Sequence, residues 1–510
     1  MHLYTRYNLL TGLALLIVLA AQAKEFTPVS SETSDGFYGK PGRSVAVHVQ
    51  PGERKNTIHR QFLGINLSHF NTTDEIWEKY DFTGKLKRAG IGSLRYPGGE
   101  ETSYFHWRHP GVNGYEDLWD DPATHGTSPG RGKFQSTWVA PENWASNDSF
   151  MDFDEFMAAC HAVGAEPIVG LNLSSGLKHQ RREEGLREAL DWMRYAKEAG
   201  YEITYWFLDN ETWNREANHT FTDAEYIEEC LYYGRAIKAE FPEAKLIANP
   251  AGGSNLDKQW IQRFAAATGE VVDYIDMHWY WAWGISTFEH WQEQTPLTTD
   301  DKWRKSPNNR SYGQDIQMIR EACAEAGYPG MGVMVLEWNI APSRQSELFS
   351  QSLIAVIQAE LLLEFAANGV ELTCLWPLLW QTSRDVWPEQ DNFPSIVAAA
   401  PPFSPTLSSE MFQMVSALQG GTVLQSDSNR PDVIQLAVDQ GESALLYVIN
   451  KNHLRRKVTV NWSGRCTNQI TGRQISTKLQ APFDTPVESG EGQFSYFAEP
   501  NSFTVIRIEK

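Results

Sequence analysis

A chain of 510 residues is longer than one ordinary hydrophobic core can organise, so the length predicts two domains. The hydrophobic share of 41% and the charged share of 21% are typical of a folded protein and argue against intrinsic disorder. Acidic residues outnumber lysine and arginine by 64 to 44, which gives a net charge of −20. That charge is spread along the chain and argues against nucleic acid and against an anionic membrane surface as partners.

The first 23 residues have the pattern of a signal peptide. Arg6 supplies a positive charge, residues 9–20 form an apolar stretch, and Ala21-Gln22-Ala23 is a small-residue cleavage pattern. The apolar stretch is too short for a comfortable membrane span. We therefore expect a mature chain that begins near Lys24 and is secreted, either into the periplasm or into the extracellular medium.

The five cysteines are odd in number and widely spaced, at Cys160, Cys230, Cys323, Cys374 and Cys466. This spacing is typical neither of a disulfide framework nor of a metal site. The 13 histidines likewise show no paired spacing for metal ligands. We expect the first three thiols to be buried and inert, and we predict that the protein uses no metal and no other cofactor.

Apolar strands and amphipathic helices alternate between residues 62 and 376, which is typical of successive βα units around a parallel sheet. Eight strands are predicted, ending near Asn66, Arg95, Leu171, Glu211, Asn249, His278, Glu337 and Trp376. The helices between them include residues 152–163, 188–199, 223–240 and 314–326. The pattern predicts an α/β fold, a (β/α)8 TIM barrel within residues 24–400.

Two long aromatic-rich segments interrupt this pattern, at residues 98–150 and 279–309. Each leaves the C-terminal end of a predicted strand, so both are expected to wall the same mouth of the barrel. Loops of this length usually line a binding site or are disordered, and their aromatic content argues against disorder.

A proline-rich stretch at residues 394–405 marks the boundary of a C-terminal domain, residues 401–510. One helix is predicted at residues 407–418, and short strands alternate with turns from Gly420 onward. These strands are predicted at residues 433–438, 444–449, 457–461, 475–479 and 503–508. The spacing predicts a small antiparallel β-sandwich, and the alternating strand at residues 44–50 is expected to pair with it.

Two of the predicted barrel strands end in a glutamate. The apolar run at residues 205–208 leads into Asp209-Asn210-Glu211, and the run at residues 333–336 leads into Glu337-Trp338-Asn339. The C-terminal ends of barrel strands are where this fold places its catalytic residues. Strands four and seven lie across the barrel mouth from each other, so both carboxyl groups are expected to converge over its axis. Two carboxylic acids on one face of a barrel suit the cleavage of a glycosidic bond, in which one serves as an acid and the other as a nucleophile or base.

These motifs resemble clan A of the retaining glycoside hydrolases and, within it, family 51, the α-L-arabinofuranosidases. The likeness is carried by Leu94-Arg95-Tyr96-Pro97-Gly98-Gly99, Asn210-Glu211, His278 with Tyr280, and Glu337-Trp338-Asn339. The resemblance implies that Glu211 is the general acid/base and that Glu337 is the nucleophile. It further implies that Asn210 binds the sugar 2-hydroxyl and that Arg95 braces the nucleophile.

The predicted substrate-binding residues are Arg95, Glu100, Asn210, His278, Tyr280 and Trp376. We expect a hydrogen bond from Tyr280 to Glu337, and Trp376 is a candidate floor for the sugar site. Structural alternatives stay open: an ion pair within the barrel for Arg95, strand-end packing for His278 and Tyr280, and a place in the core for Trp376. Glu100 stands where the family pattern has asparagine, and Ser68-His69 stands where it has Glu-His.

The sequence therefore predicts a secreted, retaining glycoside hydrolase that acts on a plant or algal polysaccharide or oligosaccharide. Arabinan, xylan and algal galactans such as agar all stay open as substrates, as do internal and terminal cleavage, transglycosylation and the oligomeric state. A non-catalytic carbohydrate-binding barrel is a rival that leaves two strand-end acids unexplained. A metal-dependent barrel hydrolase is a second rival, for which the expected ligand spacing is missing.

Overall fold

The computed structural model describes most of the chain beyond its N-terminal region. The described residues are 44–69, 71–72, 74–108, 117–120, 150–213, 221–252, 256–281, 291, 312–340, 350–379, 393–463, 469–490 and 492–510. The predicted signal peptide and most of both aromatic segments lie outside these residues. Within the described part, every helix is too short or too polar to cross a membrane.

After a first strand, β1 (Val45–Thr57), eight parallel strands close into the predicted barrel. They are β2 (Leu63–Asn66), β3 (Ser93–Tyr96), β4 (Glu166–Leu171), β5 (Tyr205–Leu208), β6 (Lys245–Ala248), β7 (Tyr274–Trp281), β8 (Gly332–Ile340) and β9 (Thr373–Leu375). The described helices of this domain are α1 (Asp74–Lys79), α2 (Phe82–Ala89), α3 (Phe153–Val163), α4 (Ser174–Lys178), α5 (Arg182–Glu198), α6 (Asp223–Glu240), α7 (Lys258–Thr268), α8 (Tyr312–Glu325) and α9 (Gln351–Ala367). A 3₁₀ turn, Glu100–Ser103, follows β3.

The barrel strands are buried on both faces, which explains their continuous apolar runs. On β5, Tyr205 and Phe207 belong to the cluster that fills the barrel interior, together with Met334 of β8. Trp206 and Leu208 alternate with them and belong to the core between the strands and the helices. A parallel strand with helices on its outer face has no solvent side, so its sequence does not alternate between apolar and polar residues.

Helix boundaries follow capping signals in the sequence. Helices α3 and α6 begin with capping boxes, in which the side chains of Asp152 and Thr222 each accept the N–H of the glutamate three residues later. Gly164 and Gly327 follow α3 and α8 with positive φ angles, a conformation in which glycine ends a helix without steric strain. Helix α5 differs from the prediction because it begins at Arg182, in a polar stretch that carries no apolar stripe.

Helix α9 has no counterpart among the helices predicted from amphipathic patterning. It lies between the barrel and the C-terminal domain, and its residues are buried on all sides of the helix. An apolar stripe arises only where the opposite face of a helix meets solvent, so α9 shows no stripe.

The C-terminal domain is a ten-stranded sheet that curls around its own apolar core and forms the predicted sandwich. A helix, α10 (Leu407–Ser416), precedes it, and β1 is one of its strands. The others are β10 (Thr422–Ser428), β11 (Val433–Asp439), β12 (Ser443–Asn450), β13 (Arg456–Trp462), β14 (Ile470–Ser476), β15 (Leu479–Asp484), β16 (Val487–Gly490), β17 (Gln493–Ala498) and β18 (Ser502–Glu509).

The position of β1 confirms one prediction about this domain, and a hairpin overturns another. Strand β1 pairs antiparallel with β10 and parallel with β13, so the N-terminal strand joins the C-terminal sheet as expected. The single strand predicted at residues 475–479 is wrong, because this segment spans the turn between β14 and β15. That turn contains Thr477 and Lys478, and it carries neither the glycine nor the proline that would signal it in the sequence.

The described cysteines are Cys160, Cys230, Cys323 and Cys374, and all four are buried free thiols. Burial raises the pKa of the Cys323 thiol to about 11, so its reactive thiolate form is scarce at neutral pH. This agrees with the expectation of inert thiols, while Cys466 lies outside the described residues.

A buried polar contact joins the second aromatic segment, the barrel and the sandwich. The Lys451 ammonium lies 2.9 Å from Oε1 of Glu360 on α9, and both side chains are almost completely inaccessible to solvent. The indole N–H of Trp291 donates to Oε2 of the same carboxylate at 2.6 Å, and Trp291 is fully buried. Because both partners of the ion pair are desolvated, each charge depends on the other.

Replacing Lys451 by methionine is expected to lower the free energy of unfolding by about 3–5 kcal/mol, because it leaves the Glu360 charge buried without a cation. Urea denaturation of the purified protein measures the change. Lys457→Met is the matched control, since Lys457 forms an exposed ion pair with Glu488 at 3.1 Å. Exposed pairs contribute about 1 kcal/mol at most, so equal losses in the two variants would contradict the role of burial.

Candidate active site

One extra residue in β8 turns Glu337 toward the mouth of the barrel. Asp276 of β7 pairs with Met334, but His278 pairs with Glu337, so two residues of β8 oppose one residue of β7. Such a bulge shifts the in-out alternation of a strand by one position. Glu337 therefore faces the cleft, and the following Trp338 packs outward in the core beneath the helices.

The bulge is stabilised by side chains of the neighbouring strands. Asp276 accepts the N–H of Leu336 through Oδ1 at 2.8 Å, and Asn66 donates its amide to the Leu336 carbonyl at 2.9 Å. Both backbone groups of the bulged residue are thereby satisfied although they are buried. Asn66 at the end of β2 and Asp276 within β7 thus hold the backbone directly before Glu337.

Glu337 is 5% exposed and has a partner at each carboxyl oxygen. Arg95 donates to Oε1 at 2.8 Å, and the Tyr280 hydroxyl donates to Oε2 at 2.9 Å, the hydrogen bond expected from the sequence. Burial raises the pKa of Glu337 above its usual value, and the positive charges of His278 and Arg95 offset only part of that rise. The carboxylate is therefore oriented at both oxygens and keeps nearby cations that favour its ionised form.

Arg95 is fully buried at the end of β3. Besides Glu337, its guanidinium donates to Oδ1 of Asn66 at 2.8 Å and to Oδ1 of Asn210, and it lies over the ring of Phe207 at 4.2 Å. The barrel ion pair considered as an alternative for Arg95 therefore exists, and its acidic partner is Glu337 itself.

Glu211 lies opposite Glu337, in the segment that follows β5. His278 connects the two acids: Nδ1 lies 2.8 Å from Oε1 of Glu211 and 3.4 Å from Oε2 of Glu337. The other ring nitrogen, Nε2, lies 3.0 Å from Oδ2 of Asp276. Burial alone lowers the pKa of His278, but the carboxylates of Glu337, Asp276 and Glu211 outweigh burial and raise it to about 10. This shift favours the charged imidazole, in which both ring nitrogens donate.

Glu211, His278 and Glu337 together could offer ligands to a metal ion. One atom each from Glu211, His278 and Glu337 lie within 4.8 Å of one another, a spacing that suits a cation. However, a protonated imidazole has no lone pair for a metal, and the Arg95 guanidinium already occupies one oxygen of Glu337. The donor set therefore favours proton transfer over metal binding.

The other predicted site residues lie around this centre. A Cβ atom added to Gly99 would lie 2.9 Å from Oε1 of Glu337 and 2.8 Å from Cη2 of Trp376, so both side chains border the same glycine. The buried Asn210 amide nitrogen has no hydrogen-bond partner among the described residues and is available to a ligand. Burial and the charges of Glu211, Glu101 and Glu337 raise the pKa of the Glu100 carboxyl well above its usual range.

Two aromatic residues of the first segment fill the core instead of walling the cleft. Phe105 and Trp107 are buried, and Trp107 stacks on Trp192 of α5 with ring centroids 6.0 Å apart. These aromatic rings fill the core between the segment and the helices. The described residues do not include four other aromatic residues of the two segments, namely Trp138, Trp144, Trp283 and Trp303.

Four polar residues support the site, although the sequence motifs above do not mark them as functional. They are Asn66, Asp209, Asn249 and Asp276, and all four are buried. Each stands within or directly after an apolar run, where an unpaired polar group would be destabilising. That position is the signal by which the sequence could have identified them.

The chain is similar in sequence to known arabinofuranosidases. The family model for the alpha-L-arabinofuranosidase 1 domain matches residues 85–295. The probable alpha-L-arabinofuranosidase C of Aspergillus fumigatus is 27% identical over 228 residues, which cover 40% of this chain and 40% of that protein. The intracellular exo-alpha-(1→5)-L-arabinofuranosidase of Streptomyces lividans is 22% identical over 443 residues, which cover 78% of this chain and 59% of that protein.

A solved structure extends the likeness to the whole fold. The GH51 arabinofuranosidase from Xanthomonas axonopodis pv. citri superposes with a TM-score of 0.64 at 16% identity, covering 91% of this chain and all of that chain. The chain resembles the family 51 α-L-arabinofuranosidases of clan A. The matches to the two relatives span less than two thirds of each relative's length, and the structural likeness concerns the fold alone.

The carboxyl group of Glu101 lies near Glu337 and Arg95, and its protonation can be tested through the stability of the protein. It is fully buried, and neither carboxyl oxygen makes a well-formed hydrogen bond among the described residues. Burial raises the pKa of Glu101 to about 7, and the Ser68 hydroxyl offsets only part of that rise. Because the folded state binds this proton more tightly than the unfolded state does, stability is lost as the pH rises through 7.

Glu101→Gln removes this loss. The variant is expected to match the parent in stability near pH 4 and to exceed it by roughly 3 kcal/mol at pH 8. The gain arises because the pKa of Glu101 is higher by about 2.5 in the folded than in the unfolded protein. Urea unfolding at pH 4, 6 and 8 measures the difference. A stability difference that does not change with pH would show that Glu101 is already ionised in the folded protein.

Proposed function

We propose that this protein is a retaining glycoside hydrolase that cleaves an arabinofuranosyl-containing polysaccharide or oligosaccharide of plant or algal origin. The observation that carries the proposal is the approach of Glu211 and Glu337, whose carboxyl oxygens come within 4.8 Å of each other at one cleft. Double displacement requires a separation of roughly 5–5.5 Å, whereas inversion needs roughly 6.5–9.5 Å to admit a water molecule. The spacing therefore supports retention.

In the first step, Glu337 attacks the anomeric carbon while Glu211 protonates the departing oxygen. Arg95 and Tyr280 hold the two oxygens of Glu337 at 2.8 and 2.9 Å, so the nucleophile enters the reaction already oriented. The glycosidic C–O bond breaks, and a bond from the sugar to Glu337 forms. The negative charge of the nucleophile is consumed in that bond.

In the second step, Glu211 accepts a proton from water, which attacks the anomeric carbon and releases Glu337. The same side chain acts first as acid and then as base, as microscopic reversibility requires. His278 contacts both glutamates, so its positive charge stabilises whichever carboxylate is ionised. The amide nitrogen of Asn210, which has no partner among the described residues, supplies a hydrogen-bond donor for a sugar hydroxyl.

The arabinofuranose assignment rests on the resemblance to the relatives, since their names state that activity. Two positions argue for a modified sugar site, because Glu100 and Ser68 differ from the family pattern given above. Xylan and algal galactans therefore stay as alternative substrates. Secretion is likewise proposed from the leader pattern in residues 1–23, and mass analysis of the mature N-terminus tests it.

Glu337→Gly is expected to abolish hydrolysis, because it removes the nucleophile. Azide can occupy the space of the lost side chain and attack the same carbon, so the variant should form a glycosyl azide of inverted configuration from an activated aryl glycoside. Product analysis by nuclear magnetic resonance measures this outcome. Hydrolysis at the parental rate in Glu337→Gly would refute the nucleophile assignment.

A panel of arabinan, arabinoxylan, xylan and agarose identifies the substrate. We expect release of arabinose, measured by mass spectrometry and by reducing-end assay. The anomeric configuration of the released sugar should match that of the substrate. Glu211→Ala on the same panel is the control. Binding to a polysaccharide without release of any product would favour the non-catalytic carbohydrate-binding barrel.

A further inference from the structure

Asp209 is buried at the end of β5, two positions before Glu211, and its carboxylate accepts four hydrogen bonds. Oδ1 accepts from the Ser103 hydroxyl at 2.6 Å and from the N–H of Asn210 at 2.8 Å. Oδ2 accepts from the N–H groups of Leu173 at 2.9 Å and Ser174 at 2.7 Å. These donors belong to the turn after β3 and to the segments after β4 and β5. One carboxylate therefore joins the ends of three neighbouring strands.

The backbone around Asp209 adopts an unfavourable conformation. Asp209 has φ 66° and Glu211 has φ 46°, both in the left-handed region. Aspartate tolerates this region better than most residues, whereas for glutamate it is uncommon. Such residues cost about 1–3 kcal/mol each and persist only where the surrounding contacts outweigh that cost. The four hydrogen bonds of Asp209 are contacts of this kind.

Asn249, at the end of β6, holds the same segment from the other side. Its Oδ1 accepts the N–H of Glu211 at 3.0 Å and the indole N–H of Trp213 at 3.0 Å. Glu211 is thus held at its own N–H and, two residues further on, through the side chain of Trp213. The direction of its side chain toward His278 follows from this backbone geometry, since any change in φ redirects the Cα–Cβ bond.

We propose that Asp209 is the positioning residue of the acid/base Glu211, acting through the backbone of the segment after β5. This inference rests on the proposed function, because it takes Glu211 as the proton donor and acceptor. Asp209 itself is fully buried and is hydrogen-bonded to protein groups, so it acts without touching the sugar. Its loss should therefore impair proton transfer specifically, and nucleophilic attack by Glu337 should persist.

Asp209→Asn tests the proposal, because it keeps the shape of the side chain and turns one acceptor oxygen into an NH2 group that faces N–H donors. For alkyl or oligosaccharide arabinofuranosides, whose leaving groups need protonation, kcat/KM should fall about 100-fold, the usual effect of misplacing a reacting group by about 1 Å. For the 2,4-dinitrophenyl arabinofuranoside, whose leaving group departs without a proton, kcat/KM should change less than about 3-fold. Should the panel above identify another sugar, the corresponding glycosides replace these.

Asp117→Asn is the matched control. Asp117 is also fully buried, and its carboxylate accepts from the Ser175 hydroxyl at 2.6 Å and the N–H of Trp119 at 2.9 Å. Ring nitrogens of His106 and His179 lie 3.1 and 3.2 Å from its oxygens. This variant should lose stability without any dependence on the leaving group. Ser103→Ala is a milder second variant, for use if Asp209→Asn does not fold. It removes one of the four hydrogen bonds and should lower kcat/KM for poor leaving groups about 3- to 10-fold.

Equal losses of kcat/KM for both leaving groups in Asp209→Asn, or a loss of stability alone, would overturn the positioning role. Glu211→Ala separates this outcome from failure of the proposed function. If Glu211→Ala shows the leaving-group dependence and Asp209→Asn does not, only the role of Asp209 is wrong. If Glu211→Ala itself lacks that dependence, the acid/base assignment fails and the positioning role fails with it.

Discussion

The buried contact between Arg95 and Glu337 is the interaction on which the mouth of the barrel depends. A carboxylate with 5% of its surface exposed has lost most of its hydration, which costs several kcal/mol. The guanidinium and the Tyr280 hydroxyl offset this cost and fix both oxygens. Arg95 is itself fully buried and needs acceptors beyond Glu337, which Asn66 and Asn210 provide. The two candidate catalytic acids are therefore parts of one connected network.

Within that network, buried polar residues in or directly after the strands each have two roles. Asp276 accepts the amide of Leu336 in the β8 bulge and also holds the ring of His278. Asn249 accepts the N–H of Glu211 and donates to the Asp276 carbonyl. The backbone geometry that aims each acid is thus coupled to the hydrogen bonds that set its charge. The sandwich stands apart from this chemistry, because it packs on α9 at the outer side of the barrel.

Much of this architecture could be predicted because apolar runs report burial directly. The eight barrel strands, the N-terminal strand of the sandwich and the hydrogen bond from Tyr280 to Glu337 all agree with the expectations. Helix α9 could not be predicted from periodicity, since burial on all sides removes the stripe on which that method depends. The aromatic residues Phe105 and Trp107 were expected in the cleft, but the sequence does not distinguish a ring that binds sugar from one that fills a core.

The sequence by itself determined the order of strands and helices and the chemical identity of the two acids, because strand ends and carboxylates are local features of a chain. Only the tertiary structure decided where those acids point. Glu337 faces the cleft because one extra residue in β8 shifts the alternation of that strand, and a bulge is defined by pairing with neighbouring strands. The backbone of Glu211 is held by Asp209 and Asn249, whose partners come from the segments after β3, β4 and β5 and from within β7. Contacts between residues this far apart in the chain exist only after the barrel has closed.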